Sequence, residues 1–120
     1  MQMLADVLVV LVALLHVWFL VLEMFLWDKP AGLRAFGQSA ERAAATKVLA
    51  ANQGLYNGFL AAGLIWGTVQ GAAGLGFKLF FLACVIIAGL YGAFSASRKI
   101  LWIQALPAAI ALLAVLATRS

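Results

Sequence analysis

MLADVLVVLVALLHVWFLVLEMFL, residues 3–26, is apolar at every position except Asp6, His16 and Glu23. A helix needs about 20 such residues to cross the hydrocarbon of a bilayer. Trp27-Asp28-Lys29-Pro30 ends the run: indole suits the membrane interface, and proline cannot continue a helix. No Lys or Arg precedes the run, Asp6 lies near its start, and it is too long for a signal peptide. It reads as a retained span.

The rest of the chain repeats the pattern. Residues 28–40 form the only sizeable loop, with Gly32, Gly37 and Ser39 as breakers; Leu33 and Phe36 would let it lie on the membrane surface. Ser39 is the expected N-cap of a second helix, with Glu41 in its first turn where the helix dipole favours an acid. That helix runs to about Thr68 and is interrupted by Asn52, Gln53, Tyr56 and Asn57. After a short turn at 70–74, a third run begins with Lys78, expected to snorkel. Ser97-Arg98-Lys99 is a tight connection to a fourth, in which Pro107 predicts a kink. The reading is an all-α, integral membrane four-helix transmembrane bundle, one domain with spans near 3–26, 43–68, 76–96 and 100–117.

Composition agrees. Hydrophobic residues make up 67% and charged residues 10%, against about 25% charged in soluble domains. A globule this small buries only about two-thirds of its surface, so lipid must act as solvent and the bilayer is a partner. The eight basic residues flank apolar runs rather than forming a patch, which excludes nucleic acid. A single cysteine, Cys84, excludes an internal disulfide. One histidine with one nearby carboxylate falls short of a metal site. The glycines follow no phosphate-binding pattern; Gly58 and Gly89 sit where copies of the chain would meet through close helix contacts.

Lys29, Arg34, Arg42 and Lys47 fall on one side of the membrane with Arg98 and Lys99, leaving Lys78 and Arg119 on the other. The positive-inside rule then places both termini outside the cytoplasm, in a multi-pass protein of the cell (inner) membrane.

With that topology the polar residues converge. His16 and Glu23 are seven apart and share one face of the first helix, while Asn52, Gln53, Tyr56 and Asn57 occupy a stripe about 140° wide on the second, with Arg42 below it. Cys84, Tyr91, Ser95 and Arg98 step along one face of the third, and the fourth adds Gln104. At 1.5 Å per residue, His16 lies roughly 16 Å in from the cytoplasmic end and Asn57 roughly 20 Å, so the stripes overlap. The outer half looks bare of comparable polarity. Intramembrane charge costs roughly 2.5–3.5 kcal/mol per group on insertion scales, so these residues are expected to face one another or a wet cavity. The candidate ligand-binding set is His16, Glu23, Arg42, Asn52, Gln53, Tyr56, Asn57, Tyr91, Arg98 and Gln104. Amides at such positions also serve simply as glue between helices. A neutral, hydrogen-bonded His16 is the plainer alternative to a proton donor.

The run from His16 through Glu23-Met24-Phe25-Leu26-Trp27, then Phe36-Gly37, then Asn52-Gln53-Gly54-Leu55-Tyr56-Asn57-Gly58-Phe59-Leu60, resembles a family of small membrane proteins known as domain of unknown function 1304. The resemblance spans nearly the whole chain and implies topology without biochemistry. Glu41-Arg42, Asn52, Phe59-Leu60 and Gly63-Leu64, with Tyr91 and Arg98 later, are also similar to the membrane-associated eicosanoid and glutathione metabolism proteins. That likeness implies a homotrimer and a cytoplasm-facing site for glutathione or another thiol. Leu55 stands where that family has an acid, and the gap from Arg42 to Asn52 is longer by about one turn.

The leading expectation is a membrane-embedded binding protein, or an enzyme like those of the second resemblance, that takes an amphipathic or anionic ligand from the cytoplasmic side. Its rivals are a small transporter or channel subunit and a structural membrane subunit. A reporter fused after Ser120 is expected to be active outside the cytoplasm, and one placed within residues 31–38 inside it. The reverse pattern overturns the orientation.

Overall fold

A computed structural model describes residues 1–118; Arg119, counted in the charge bias above, and Ser120 lie outside the described residues. The described chain is all-α: α1 (Gln2–Met24), α2 (Pro30–Phe36), α3 (Ala40–Val69), α4 (Leu75–Ser95) and α5 (Leu106–Thr118). A 3₁₀ turn, Gly71–Gly74, leads into α4, and a π-turn, Leu101–Ala105, leads into α5.

Three stretches are long and apolar enough to cross a membrane: Gln2–Met24, Gly71–Ser95 and Leu101–Thr118, with mean hydropathies of 2.6, 2.2 and 2.0. They point to a membrane protein. The longest helix, α3, is not among them. Its charged first turns and its four central polar residues, Asn52, Gln53, Tyr56 and Asn57, dilute its apolar content.

The loop expected at 28–40 instead contains α2. α1 ends at Met24, ahead of Pro30, and Pro30 instead starts α2, at the first helical position, where a missing N–H costs nothing. Gly37, at φ 59°, closes α2 in the left-handed conformation that glycine adopts without strain. Ser39 does cap α3, its Oγ accepting from the Arg42 backbone N–H at 3.2 Å. Pro107 acts as a local widening: the Leu106 N–H bonds to Leu101 O, five residues back, just before the proline removes the next donor.

The chain divides into two units, one of Met1–Leu14 with everything from Leu60 onward, the other Leu15–Phe59. The first has a core of Ala5, Val9, Val12 and Ala13 from α1, Ala61 and Leu64 from α3, Leu82 and Val85 from α4, and Ala108, Ala111 and Val115 from α5. These positions recur every three or four residues, one stripe per helix. The core is mostly Ala and Val, while Phe80, Ile87 and Leu113 are each more than 60% exposed. Small residues inside and large apolar ones outside is the arrangement of helices packed in lipid, where close approach rather than water exclusion drives contact.

Gly89 shows that approach. A Cβ there would stand 2.7 Å from Ala105 N and 2.8 Å from Ala105 Cβ. Gly58 likewise faces Leu20 of its own chain, in the other unit. Both glycines, expected where copies meet, serve helix contacts within the chain.

Lys78 does not snorkel. Its side chain is fully buried, and Nζ lies 3.4 Å from Asp6 Oδ1. Gly67 makes room for its stem, since a Cβ there would be 3.0 Å from Lys78 Cγ. The helix ends expected to lie outside, and expected to be bare of comparable polarity, hold an ion pair: Asp6 and Lys78, far apart in sequence, come together where α1 and α4 begin.

Gly89→Leu should lower the thermal midpoint in detergent, by about 1–3 kcal/mol of overpacking or more. Ile87→Leu on the exposed face should stay within about 0.5 kcal/mol. Equal stability of the two variants would remove Gly89 from the helix contact.

Candidate functional site

The polar centre belongs to the unit Leu15–Phe59, in which the end of α1 runs antiparallel to the first half of α3. The inward stripe of α3 is Ala43, Ala50, Gly54 and Asn57, all buried. Steps of seven, four and three keep them on one face, and three of the four lack bulk. A Cβ on Gly54 would meet Met24 Cγ at 2.6 Å and Glu23 Cβ at 3.1 Å. This small-residue seam brings the backbone of α3 close enough for Asn57, one turn further on, to reach α1.

Asn57 Nδ2 donates to Glu23 Oε1. Asn57 is 5% exposed and Glu23 half-buried. The pair answers a problem set by the sequence, a carboxyl group inside an apolar span. An amide shares the need for a partner without adding charge. Having given its N–H to Glu23, Asn57 keeps its carbonyl oxygen, and the other oxygen of Glu23 accepts no bond from the described residues. The centre is therefore rich in acceptors. His16, two turns back on α1, is fully buried, with its ring edge-on to Phe19 at 5.2 Å.

Below this centre two contacts tie the end of α1 to the first turns of α3. Trp27 Nε1 donates to Thr46 Oγ1 at 3.1 Å, and Thr46 Oγ1 donates to Arg42 O at 2.8 Å. Lys47 Nζ pairs with Asp28 Oδ2 at 2.9 Å. The Lys47 hydrogen bond holds the exposed Asp28 carboxyl below the usual aspartate range.

Of the residues expected to converge, the structure joins Glu23 with Asn57 and buries His16 in the same unit. Asn52, Gln53, Tyr56 and Arg42 belong to this unit too but are exposed. The seam of small residues, not the polar stripe, decides which way α3 faces, and it leaves Asn52 and Tyr56 about 140° and 100° around the helix from Asn57. Tyr91 and Arg98, both exposed, and the half-buried Gln104 belong to the other unit. Sequence reasoning missed Asp6 and the Trp27–Thr46 and Asp28–Lys47 contacts. The opposite charges of Asp28 and Lys47, at the end of one helix and the start of the next, were the signal that could have revealed the hairpin.

A groove of about 610 Å³ runs along Gln2, Met3, Asp6, Val7, Val10 and Leu11. All six residues belong to α1, so the groove is open-sided, and none of them is part of the Glu23–Asn57 centre. Among the described residues no three His, Cys, Asp or Glu side chains gather as metal ligands would.

Comparison with known proteins gives a family. The model of a family described as "Protein of unknown function (DUF1304)" matches residues 10–116. The uncharacterized protein YpaA of Lactococcus lactis subsp. lactis (strain IL1403) is 32% identical over 106 residues, which covers 87% of this chain and 89% of the relative. No solved structure matches.

Glu23→Ala, Asn57→Ala and the double variant, unfolded thermally in detergent, should show an interaction energy of about 0.5–3 kcal/mol. Glu23→Ala with the exposed Arg42→Gln should add within about 0.5 kcal/mol. Additivity in both pairs would dissolve the centre.

Proposed function

The chain belongs to the DUF1304 family of proteins of unknown function, and on that footing we propose that it is a four-span membrane protein with an intramembrane binding site. The site takes the polar end of an amphipathic ligand at Glu23 and Asn57, with His16 behind them. The observation that carries this reading is the Glu23–Asn57 bond, which leaves two acceptor oxygens, one on each residue, available within an otherwise apolar stretch of helix. A pair serving only to hold α1 and α3 together would gain nothing from the acid, because two amides would do the same.

Support for α3 as the fourth span comes from its neighbours in each unit taken separately. In one, Gly54 and Gly58 lie against Leu20, Glu23 and Met24 of α1. In the other, Ala61 and Leu64 share a core with Val9 and Ala13 of α1. A helix alongside α1 at both levels lies at the depth of a span, even though its composition alone falls short. Four spans and the basic bias give both termini outside the cytoplasm and a site entered from the cytoplasmic side, past Arg42. Association of copies, as a trimer on the second likeness, would cover Asn52, Gln53 and Tyr56, whose donors and acceptors suit an identical face.

A second reading, transport, draws on the Asp6–Lys78 pair, which supplies charge near the start of α1 where a path to the other side would need it.

Mass spectrometry of small molecules extracted from the purified protein tests the site. A lipid-like or thiol-bearing compound should co-purify with the wild type. Its retention should fall about tenfold or more in Glu23→Ala and Asn57→Ala, the loss expected when a buried polar group loses its hydrogen-bond partner. It should persist in Phe80→Leu. No retained compound, or equal retention in all variants, would rule out the binding site.

A further inference from the structure

We infer that α2 and the adjoining ends of α1 and α3 form a docking surface for the headgroups of anionic phospholipids. The surface is built, not merely charged. Gly32 packs its backbone directly on the carbonyls of Leu26 and Trp27, where any side chain would overlap Leu26 O. The Trp27 ring lies on Phe36 with centroids 4.8 Å apart, and the indole N–H is held by Thr46. This short helix is therefore fixed against the end of α1, immediately beyond the last apolar residues of a membrane-spanning run. That is headgroup level if α1 spans, the one part of the functional reading on which this inference rests.

Residues 28–47 carry Lys29, Arg34, Arg42 and Lys47 against Asp28 and Glu41. Asp28 is taken by Lys47. Lys29, Arg34 and Arg42 are exposed and make no ion pair among the described residues, and Glu41 is exposed beside Arg42. Three cations therefore face outward on a rigid frame. Phe36 at 42% exposed and Phe25 at 64% provide apolar contact with the upper acyl chains. Fixed cations beside exposed rings at the hydrocarbon boundary complement a lipid whose headgroup is negative and whose tail is apolar. Basic residues at an anionic surface each contribute about 1 kcal/mol, close to fivefold in affinity.

Trp27 reports on this surface from within. Trp18, Trp66 and Trp102 are each at least half exposed, so Phe should replace them with little loss of packing and leave Trp27 as the single fluorophore. The protein would be reconstituted in phosphatidylcholine vesicles containing 30 mol% brominated phosphatidylglycerol, or the same fraction of brominated phosphatidylcholine.

The anionic lipid should quench Trp27 as though enriched severalfold around it. The excess should vanish in 1 M NaCl, where the screening length falls to about 3 Å. It should also vanish in Lys29→Gln/Arg34→Gln/Arg42→Gln and survive in the charge-conserving Lys29→Arg/Arg34→Lys/Arg42→Lys. Equal quenching by the two lipids would overturn the inference, as would an excess unchanged in the glutamine variant. Absence of quenching by either lipid would instead overturn the membrane placement of α1.

Discussion

In hydrocarbon a polar group must bring its partner with it, because no water is there to supply one. Most of this structure follows from how the chain meets that constraint. Within its apolar helices it carries Asp6, Glu23, Asn57 and Lys78, and two contacts join them: Lys78 with Asp6, and Asn57 with Glu23. Each contact lies beside a glycine that lets the helices approach. Gly67 gives Lys78 its channel and Gly54 brings α3 onto Glu23. The polar pairs and the small-residue seams thus form a single device. Without the glycines the partners would stand too far apart, and without the partners the close approach would bury unsatisfied groups.

The same constraint explains which parts of the fold were legible in the sequence. Residues 3–26 could be read as a span because a run of that length has few other uses. The Ser39 cap and the disturbance at Pro107 were legible because each depends on a residue's own backbone chemistry. The short helix α2 was hidden because Pro30, Gly32 and Gly37 read as breakers when taken one by one. In the structure Pro30 starts the helix, Gly37 ends it, and Gly32 is where it rests on α1. The pairing of Lys78 with Asp6 depends on two helices meeting across most of the chain's length, and no local pattern carries that information.

The candidate site shows a sharper limit. Counting polar residues around α3 gives a stripe, and intuition turns the stripe inward. The structure turns Ala43, Ala50 and Gly54 inward instead, and of the amides only Asn57 goes with them. Packing in lipid rewards small surfaces more than polar ones, so the positions with the least side chain set the rotation of the helix. Asn52, Gln53 and Tyr56 then lie outside because they are off the seam. Trp27 pairs with Thr46 while Gly54 meets Met24, so Asn52 and Gln53 fall near the end of α1.

That rotation bears on how α3, if it is the proposed fourth span, would enter the membrane. Its composition falls short of a self-sufficient span, and Asn57 alone in hydrocarbon would make it worse. Against α1, Asn57 has Glu23, Glu23 has Asn57, and each lowers the cost of placing the other. Neither helix end is then at its best until the two are together, which would couple insertion of α3 to its packing on α1. An acid is not required for such a task, since Gln at position 23 would bond Asn57 as well and could not ionise. The presence of Glu23 where glutamine would serve the fold is the strongest physical reason to seek its use in function.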